Sequence, residues 1–197
     1  MESYTDAHKD SLEMTQVELG DIPGVSTSPG EITIDQRGSF TKFFERESYL
    51  KRGFDPNFNS LSIASNIEPG TIRGLHFQTS PYEEEKLISC IKGSIFDVIV
   101  DLRKNSPTLG KWAAIDLSDT PSIFLSLPRG IAHGYQTLSP DAKVLYCITS
   151  EYHRSNAFSL SYLDPVLAIK WPRSTTQISD KDARGVSLQE AVDLVAG

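Results

Sequence analysis

From Ser39 to about Leu160 the apolar residues come in short runs separated by Gly, Pro, Asn and Asp, with almost no helical periodicity. This spacing predicts the strands of a sandwich or barrel. The run "KLISCIKGSIFDVIVDLR" divides into two strands at Lys92 and Gly93. In its second half Phe96, Val98, Val100 and Leu102 alternate onto one face, leaving Asp97 and Asp101 to share the other. A strand of that kind faces either water or a polar cavity. The same pattern predicts strands in "NSLSIAS", "KWAAIDLS", "SIFLSLP", "AHGYQTLS", "KVLYCITSEY" and "FSLSYLD".

The two ends differ from this body. "MESYTDAHKDSLEMTQ" is polar and without periodicity. In "SLQEAVDLVAG", Ser187 stands three residues before Glu190 as a capping box, and Leu188, Ala191, Val192 and Val195 follow at helical spacing. A short C-terminal helix is expected to pack on the β body in a structural role. The chain therefore reads as one all-β domain over residues 1–197, with 1–24 peripheral and 173–197 a tail carrying the helix.

Composition narrows the partners. A net charge of -7 and a pI near 5.1 argue against a nucleic-acid footprint, which shows as clustered Lys and Arg. No apolar run approaches a membrane span and no signal peptide is evident, so a cytoplasmic protein is expected. The two cysteines, Cys90 and Cys147, lie inside apolar runs and read as buried thiols rather than a disulfide framework.

Candidate chemistry concentrates in "GTIRGLHFQTSPYEEEKL", where Arg73, His76, Gln78 and Lys86 share one short segment. That density weakens the alternatives of a packed core histidine and a solvated lysine, which stay open on the residues alone. A second histidine, His133, lies in "PRGIAHG". Together the two pieces resemble the paired motifs of the cupin superfamily, whose histidines meet inside a small jelly roll. Metal-binding cupins carry a second histidine two residues after the first, where Gln78 stands here. A metal site would have to use His76, Glu83 and His133, with the Lys86 cation against it. A metal-dependent oxygenase or isomerase is thus the rival reading, and a non-catalytic sugar-binding cupin a third.

The motifs "DQRGSF" (35–40), "RGLHFQ" (73–78), "KLISCIKGSIFDVIVDLRKNSPTLGKW" (86–112), "LPRGIAHGYQTLS" (127–139), "VLYCITSEY" (144–152) and "YLDPVLAIKWP" (162–172) are co-linear over most of the chain. They closely resemble the dTDP-4-dehydrorhamnose 3,5-epimerase family. The resemblance implies a cupin-type jelly roll, all-β with a short C-terminal helix, that works without metal or cofactor as a homodimer on a nucleotide-linked 4-keto-6-deoxyhexose. Carried over by position, His76 is the catalytic base, Asp164 the carboxylate that orients it, Lys86 the cation at the C4 carbonyl and Tyr146 the acid on the opposite face. Arg37 and Arg73 correspond to phosphate contacts, and Tyr152 to a tyrosine near the sugar. Gln78 is placed with the substrate. His133 is either structural or, with Asp97, a second His–carboxylate pair.

The chemistry asks for such a set. Inverting a carbon beside a ketone needs a base, a donor at the carbonyl oxygen and an acid across the ring. Histidine titrates near neutrality, and each positioned proton-transfer group is worth roughly 10²–10⁴-fold. The sequence departs from the family near the nucleotide. Lys42 stands where a glutamate is usual, and Leu61 and Ile63 stand where glutamine and asparagine are familiar, with Ser62 and Asn66 as possible polar substitutes. The nucleotide (dTDP, GDP or CDP) and the inverted carbon, C3 or C5, stay open.

Overall fold

The computed structural model describes residues 18–51 and 57–196; the polar N-terminal run with His8 lies outside the described residues. Two five-stranded antiparallel sheets face each other. The first is ordered β1 (Ser26–Pro29), β9 (Ile123–Leu127), β6 (Lys86–Lys92), β11 (Lys143–Ile148), β4 (Ser60–Ser65). The second is β12 (Ala157–Ser159), β5 (Ile72–Gln78), β10 (Ile131–Thr137), β7 (Ser94–Asp101), β8 (Trp112–Ser118). A separate hairpin pairs β2 (Glu31–Asp35) with β3 (Gly38–Lys42). The chain passes repeatedly from one sheet to the other, as a jelly roll requires. The turn at Lys92 and Gly93 makes one such crossing, and Gly93 takes φ +76° there, with Ser139 Oγ filling the space of a Cβ.

Alternating residues divide among three buried clusters. Ile88, Cys90, Ile95, Ile99, Leu117, Leu125 and Val144 interdigitate between the sheets. Leu75, Phe77, Val98, Val100, Leu102 and Trp112 occupy the outer face of the second sheet, where Leu188 and Ala191 of α3 (Leu188–Ala196) cover them. The capping box holds: Ser187 N–H and Oγ both donate to Glu190, at 2.8 and 2.7 Å. The outer face of the first sheet packs Leu87, Phe124 and Cys147 against Tyr49 of α1 (Arg46–Leu50). Cys90 and Cys147 are thus both buried, in different clusters, and burial pushes the Cys90 thiol up to about 11.

Of the two settings open to the carboxylate face of β7, water is excluded: covered on both sides, the strand buries Asp97 and Asp101 fully. One expectation needs correction. The N-terminal segment is not peripheral to residue 24, because after a 3₁₀ turn at Leu19–Asp21 Ile22 enters the inner core, fully buried beside Val25. A side chain buried to that degree contributes roughly 1.5–3 kcal/mol.

Candidate active site

Strand register builds one wall of the site. His76 on β5 and His133 on β10 are direct cross-strand partners, and Ser159 of β12 flanks His76 on its other side. Arg73 and His76, three residues apart, would point to opposite faces of a regular strand. A β-bulge corrects this: Gly134 opposes both Gly74 and Leu75, so Arg73, His76 and Gln78 all line one cavity. The bulge depends on glycine, since a Cβ on Gly74 would lie 2.6 Å from Gly134 Cα and one on Gly134 2.6 Å from Arg73 O. The facing wall comes from the first sheet, where Tyr146 pairs with Ser62 and Ile148 with Lys86, bringing Ser60, Ser62, Ala64, Lys86 and Tyr146 to the inner face. Between the walls lies a cavity of about 300 Å³.

The carboxylate behind His76 is not the expected one. His76 Nε2 lies 2.7 Å from Asp182 Oδ1, in α2 (Asp180–Ala183). Ser159 Oγ also donates to Asp182, at 2.7 Å, and Gly74 N–H does so at 3.3 Å. Burial by itself would raise the Asp182 pKa, but the bonds from His76, Ser159 and Gly74 outweigh it and hold the carboxyl well below the usual carboxylate range. Asp164 is engaged elsewhere. Its Oδ1 accepts from Val166 N–H at 2.9 Å and Leu167 N–H at 3.1 Å, and its Oδ2 from Leu188 N–H at 2.8 Å. It ties a turn to the start of α3, a capping task natural to Asp. The C-terminal tail therefore not only carries the packed helix α3 but also completes the site through Asp182.

Lys86 is nearly fully buried, its ammonium donating to His76 O at 3.1 Å and paired with Glu84 at 2.8 Å. Gln78, expected at the substrate, is spent on the protein instead. Its Nε2 donates to Tyr82 O, Glu84 and Glu151 O, and its Oε1 accepts from His153 N–H. It locks the loop that carries Glu84, and so fixes Lys86 indirectly.

His133 Nε2 and Asp97 Oδ2 lie 2.8 Å apart, both buried, while Asp97 Oδ1 has no hydrogen-bond partner. Burial raises the Asp97 pKa, opposed by His133 and then by the Lys86 charge. The Tyr146 ring meets His133 edge-on, with centroids 6.0 Å apart. Burial also pushes the Tyr146 phenol well above its ordinary value, so it holds its proton throughout the neutral range.

The remaining expected residues divide. Tyr152 stands at the cavity rim, exposed, with Lys181 Nζ 5.7 Å from its ring centre. Lys181, a cation that sequence reasoning missed, lines both the cavity and an adjoining depression of about 490 Å³ that shares Arg73 and His76 with it and is also lined by Asp182. Asn66 is buried behind the wall, accepting Arg73 Nε at 2.8 Å. Arg37 is paired with Asp35 on the exposed hairpin, and Lys42 bridges Glu31 at 3.0 Å and Glu45 at 3.3 Å; neither lines this cavity within one chain. Leu61 and Ile63 turn away from the cavity, so Ser60, Ser62 and Ala64 form its β4 wall. Glu83 lines a separate depression with Arg103 and Arg129, so His76, Glu83 and His133 do not converge. Among the described residues no group of His, Cys, Asp and Glu is arranged to hold a metal ion.

The chain is similar to known proteins in sequence and in fold. Residues 20–190 match the family model for dTDP-4-dehydrorhamnose 3,5-epimerase. The chain is 38% identical over 157 residues to the enzyme of that name from Sinorhizobium fredii, covering 79% of this chain and 80% of the relative. A solved epimerase from Legionella pneumophila, in complex with dTDP-4-keto-L-rhamnose, superposes with a TM-score of 0.79 at 37% identity, covering 84% of this chain and 88% of that one. A 4-keto-6-deoxy sugar epimerase from the novobiocin cluster of Streptomyces spheroides gives 0.82 at 32% identity, covering 87% and 86%. With the family model spanning nearly the whole described chain, the protein belongs to the dTDP-4-dehydrorhamnose 3,5-epimerase family.

Proposed function

We propose that the protein inverts C3, C5 or both of a dTDP-linked 4-keto-6-deoxyhexose, supplying deoxysugar for a surface polysaccharide or a glycosylated small molecule. The observation that carries this reading is a base and an acid on opposing walls of one cavity: His76 backed by Asp182 on one sheet, Tyr146 on the other. His76 Nε2 is committed to Asp182, so Nδ1 takes the C–H proton, and the carboxylate stabilises the imidazolium that forms. Two of the three N–H donors of Lys86 are held by His76 O and Glu84, leaving one for the enolate oxygen. Tyr146 returns a proton from the far side. Arg73 and Lys181, where cavity and depression join, are placed to hold the diphosphate. The scheme consists of proton transfers alone. Incubation with dTDP-4-dehydro-6-deoxyglucose is expected to yield inverted hexulose, scored by chromatography after chemical reduction of the ketone. Unchanged substrate with the dTDP-, GDP- and CDP-linked sugars alike would contradict the proposal.

The working form is proposed to be a homodimer in the cytoplasm. Strand β4 closes one edge of the first sheet and exposes Leu61 (69%) and Ile63 (57%), and the β2–β3 hairpin exposes Ile34 (77%) and Phe40 (71%). An apolar edge of this kind calls for a partner. A second copy also offers Arg37 and Lys42 a way to a cavity that they do not line in their own chain. Two buried free thiols suit a reducing compartment. No helix among the described residues is long and apolar enough to cross a membrane. Light scattering at micromolar concentration is expected to give twice the chain mass, falling to one chain mass in Leu61→Glu/Ile63→Glu; a monomeric wild type would refute the assembly.

A further inference from the structure

Asn66 follows the last residue of β4 and is buried, yet it does not line the cavity. An amide held this far from water costs free energy unless its polar groups are paired. Here they all are. Asn66 Oδ1 accepts from Arg73 Nε at 2.8 Å, and Nδ2 donates to Ala142 O and to the Tyr135 hydroxyl, each at 3.1 Å. The Tyr135 hydroxyl gives its own proton back to Asn66 Oδ1 at 3.3 Å. The amide cannot be turned over, because Arg73 Nε has only a proton to give and Ala142 O only lone pairs. Its support is rigid: Tyr135 is completely buried in the inner core with Ile88, Ile95 and Val144. Tyr135 and Arg73 are also direct cross-strand partners on β10 and β5, so their side chains leave the sheet together and Asn66, from the facing sheet, meets both.

We infer that Asn66 is a positioning residue for diphosphate recognition, holding the Arg73 guanidinium in its binding orientation before the substrate arrives. The inference rests on the proposed role of Arg73 as a diphosphate contact. Arg73 is exposed, and an exposed arginine loses much of its rotamer freedom when it clamps an anion. A tether makes that ordering part of the folded protein, so affinity rises without a new contact to the ligand. Two of the five guanidinium N–H groups are taken, Nε by Asn66 and one on Nη2 by Ser65 O at 3.4 Å, which leaves three for a ligand where cavity and depression join. The tether is also neutral. Arg37 and Arg103 are held by carboxylates, Asp35 and Asp101, which offset their charge. An amide fixes Arg73 equally well and leaves its whole positive charge for the phosphates.

A double-mutant cycle tests this, with dTDP binding read by titration calorimetry and turnover of dTDP-4-dehydro-6-deoxyglucose by steady-state kinetics. Asn66→Ala is expected to weaken dTDP binding about three- to tenfold, the scale of one long side chain left to be ordered on binding. KM is expected to rise alike and kcat to stay within about twofold, because His76, Lys86 and Tyr146 are untouched. Arg73→Ala is expected to weaken dTDP more, and adding Asn66→Ala to it to change affinity by less than about twofold, since the tether then has nothing to hold. Asn66→Ser serves should the alanine variant fail to fold: its hydroxyl stops one bond short of the Oδ1 position, and the same loss of affinity is expected. Wild-type affinity in the Asn66 variants while Arg73→Ala is weakened, or an Asn66 effect of equal size with and without Arg73, would overturn the inference alone. Wild-type dTDP affinity in Arg73→Ala would overturn the diphosphate role of Arg73, and the inference with it.

Discussion

Asp182→Asn is expected to lower kcat by about 10²-fold or more with KM near wild type, on the scale of a proton-transfer group deprived of its orienting carboxylate. Asn at 182 can still accept from Ser159 or Gly74 N–H, but it cannot stabilise a His76 imidazolium. Asp164→Asn is expected to keep kcat within a few-fold and to reduce stability by about 0.5–2 kcal/mol, the cost of weakening a helix cap. Steady-state kinetics and thermal unfolding of the two variants separate the roles; the opposite pattern would restore Asp164 as the partner of His76. The acid limb of stability gives a second check. The folded pKa of Asp182 is depressed, so its contribution is present above the unfolded carboxylate value of about 3.9 and is lost as pH falls through the lower folded value. Wild type is expected to lose more stability than Asp182→Asn as pH falls through that range.

Tyr146→Phe is expected to lower inversion by about 10²–10⁴-fold while C–H exchange with solvent continues, because it removes the proton donor and leaves His76, Asp182 and Lys86 intact. The substitution keeps the ring that packs against His133, so folding is expected to be unaffected. Mass spectrometry of recovered substrate after incubation in D₂O reads exchange, and chromatography of the reduced sugars reads inversion. Equal losses of exchange and inversion would mean that Tyr146 acts before the enolate forms, contrary to its proposed place.

Much of this was legible in the sequence, and the failures have identifiable physical causes. Alternation located the strands, and the motifs around His76, Lys86, His133 and Tyr146 located the cavity walls, because strand residues two apart share a face and the turns carry their own signatures. The partner of His76 was missed because long-range pairing leaves no local trace. Asp164 sits in the conspicuous "YLDPV" motif, whereas Asp182 lies in the tail, in "SDKD", a polar stretch without apolar periodicity. A signal was present: Ser179 stands three residues before Asp182, and Ser179 Oγ accepts Asp182 N–H at 3.1 Å. That capping spacing marks a helix start, and the helix aims its third residue at the site.

Gln78 and Asn66 show a second limit. Both are polar and close to the catalytic motif, but their hydrogen-bonding capacity is consumed inside the protein, one locking the loop of Glu84 and the other holding Arg73 and Tyr135. Residue type and proximity do not distinguish a group that meets substrate from one that holds a neighbour in place. The bulge at Gly134 has a similar lesson. By simple alternation Arg73 and His76 belong to opposite faces, and only the extra residue on β5 brings them together.

The central claim is that His76, backed by Asp182, removes a proton beside the ketone of a nucleotide-linked hexulose. Proton NMR of dTDP-4-dehydro-6-deoxyglucose in D₂O with catalytic protein tests this most directly. The account predicts loss of the C3 or C5 proton signal through deuterium incorporation with wild type, abolished in His76→Asn. Retention of both signals with wild type, or exchange in His76→Asn at the wild-type rate, would contradict it.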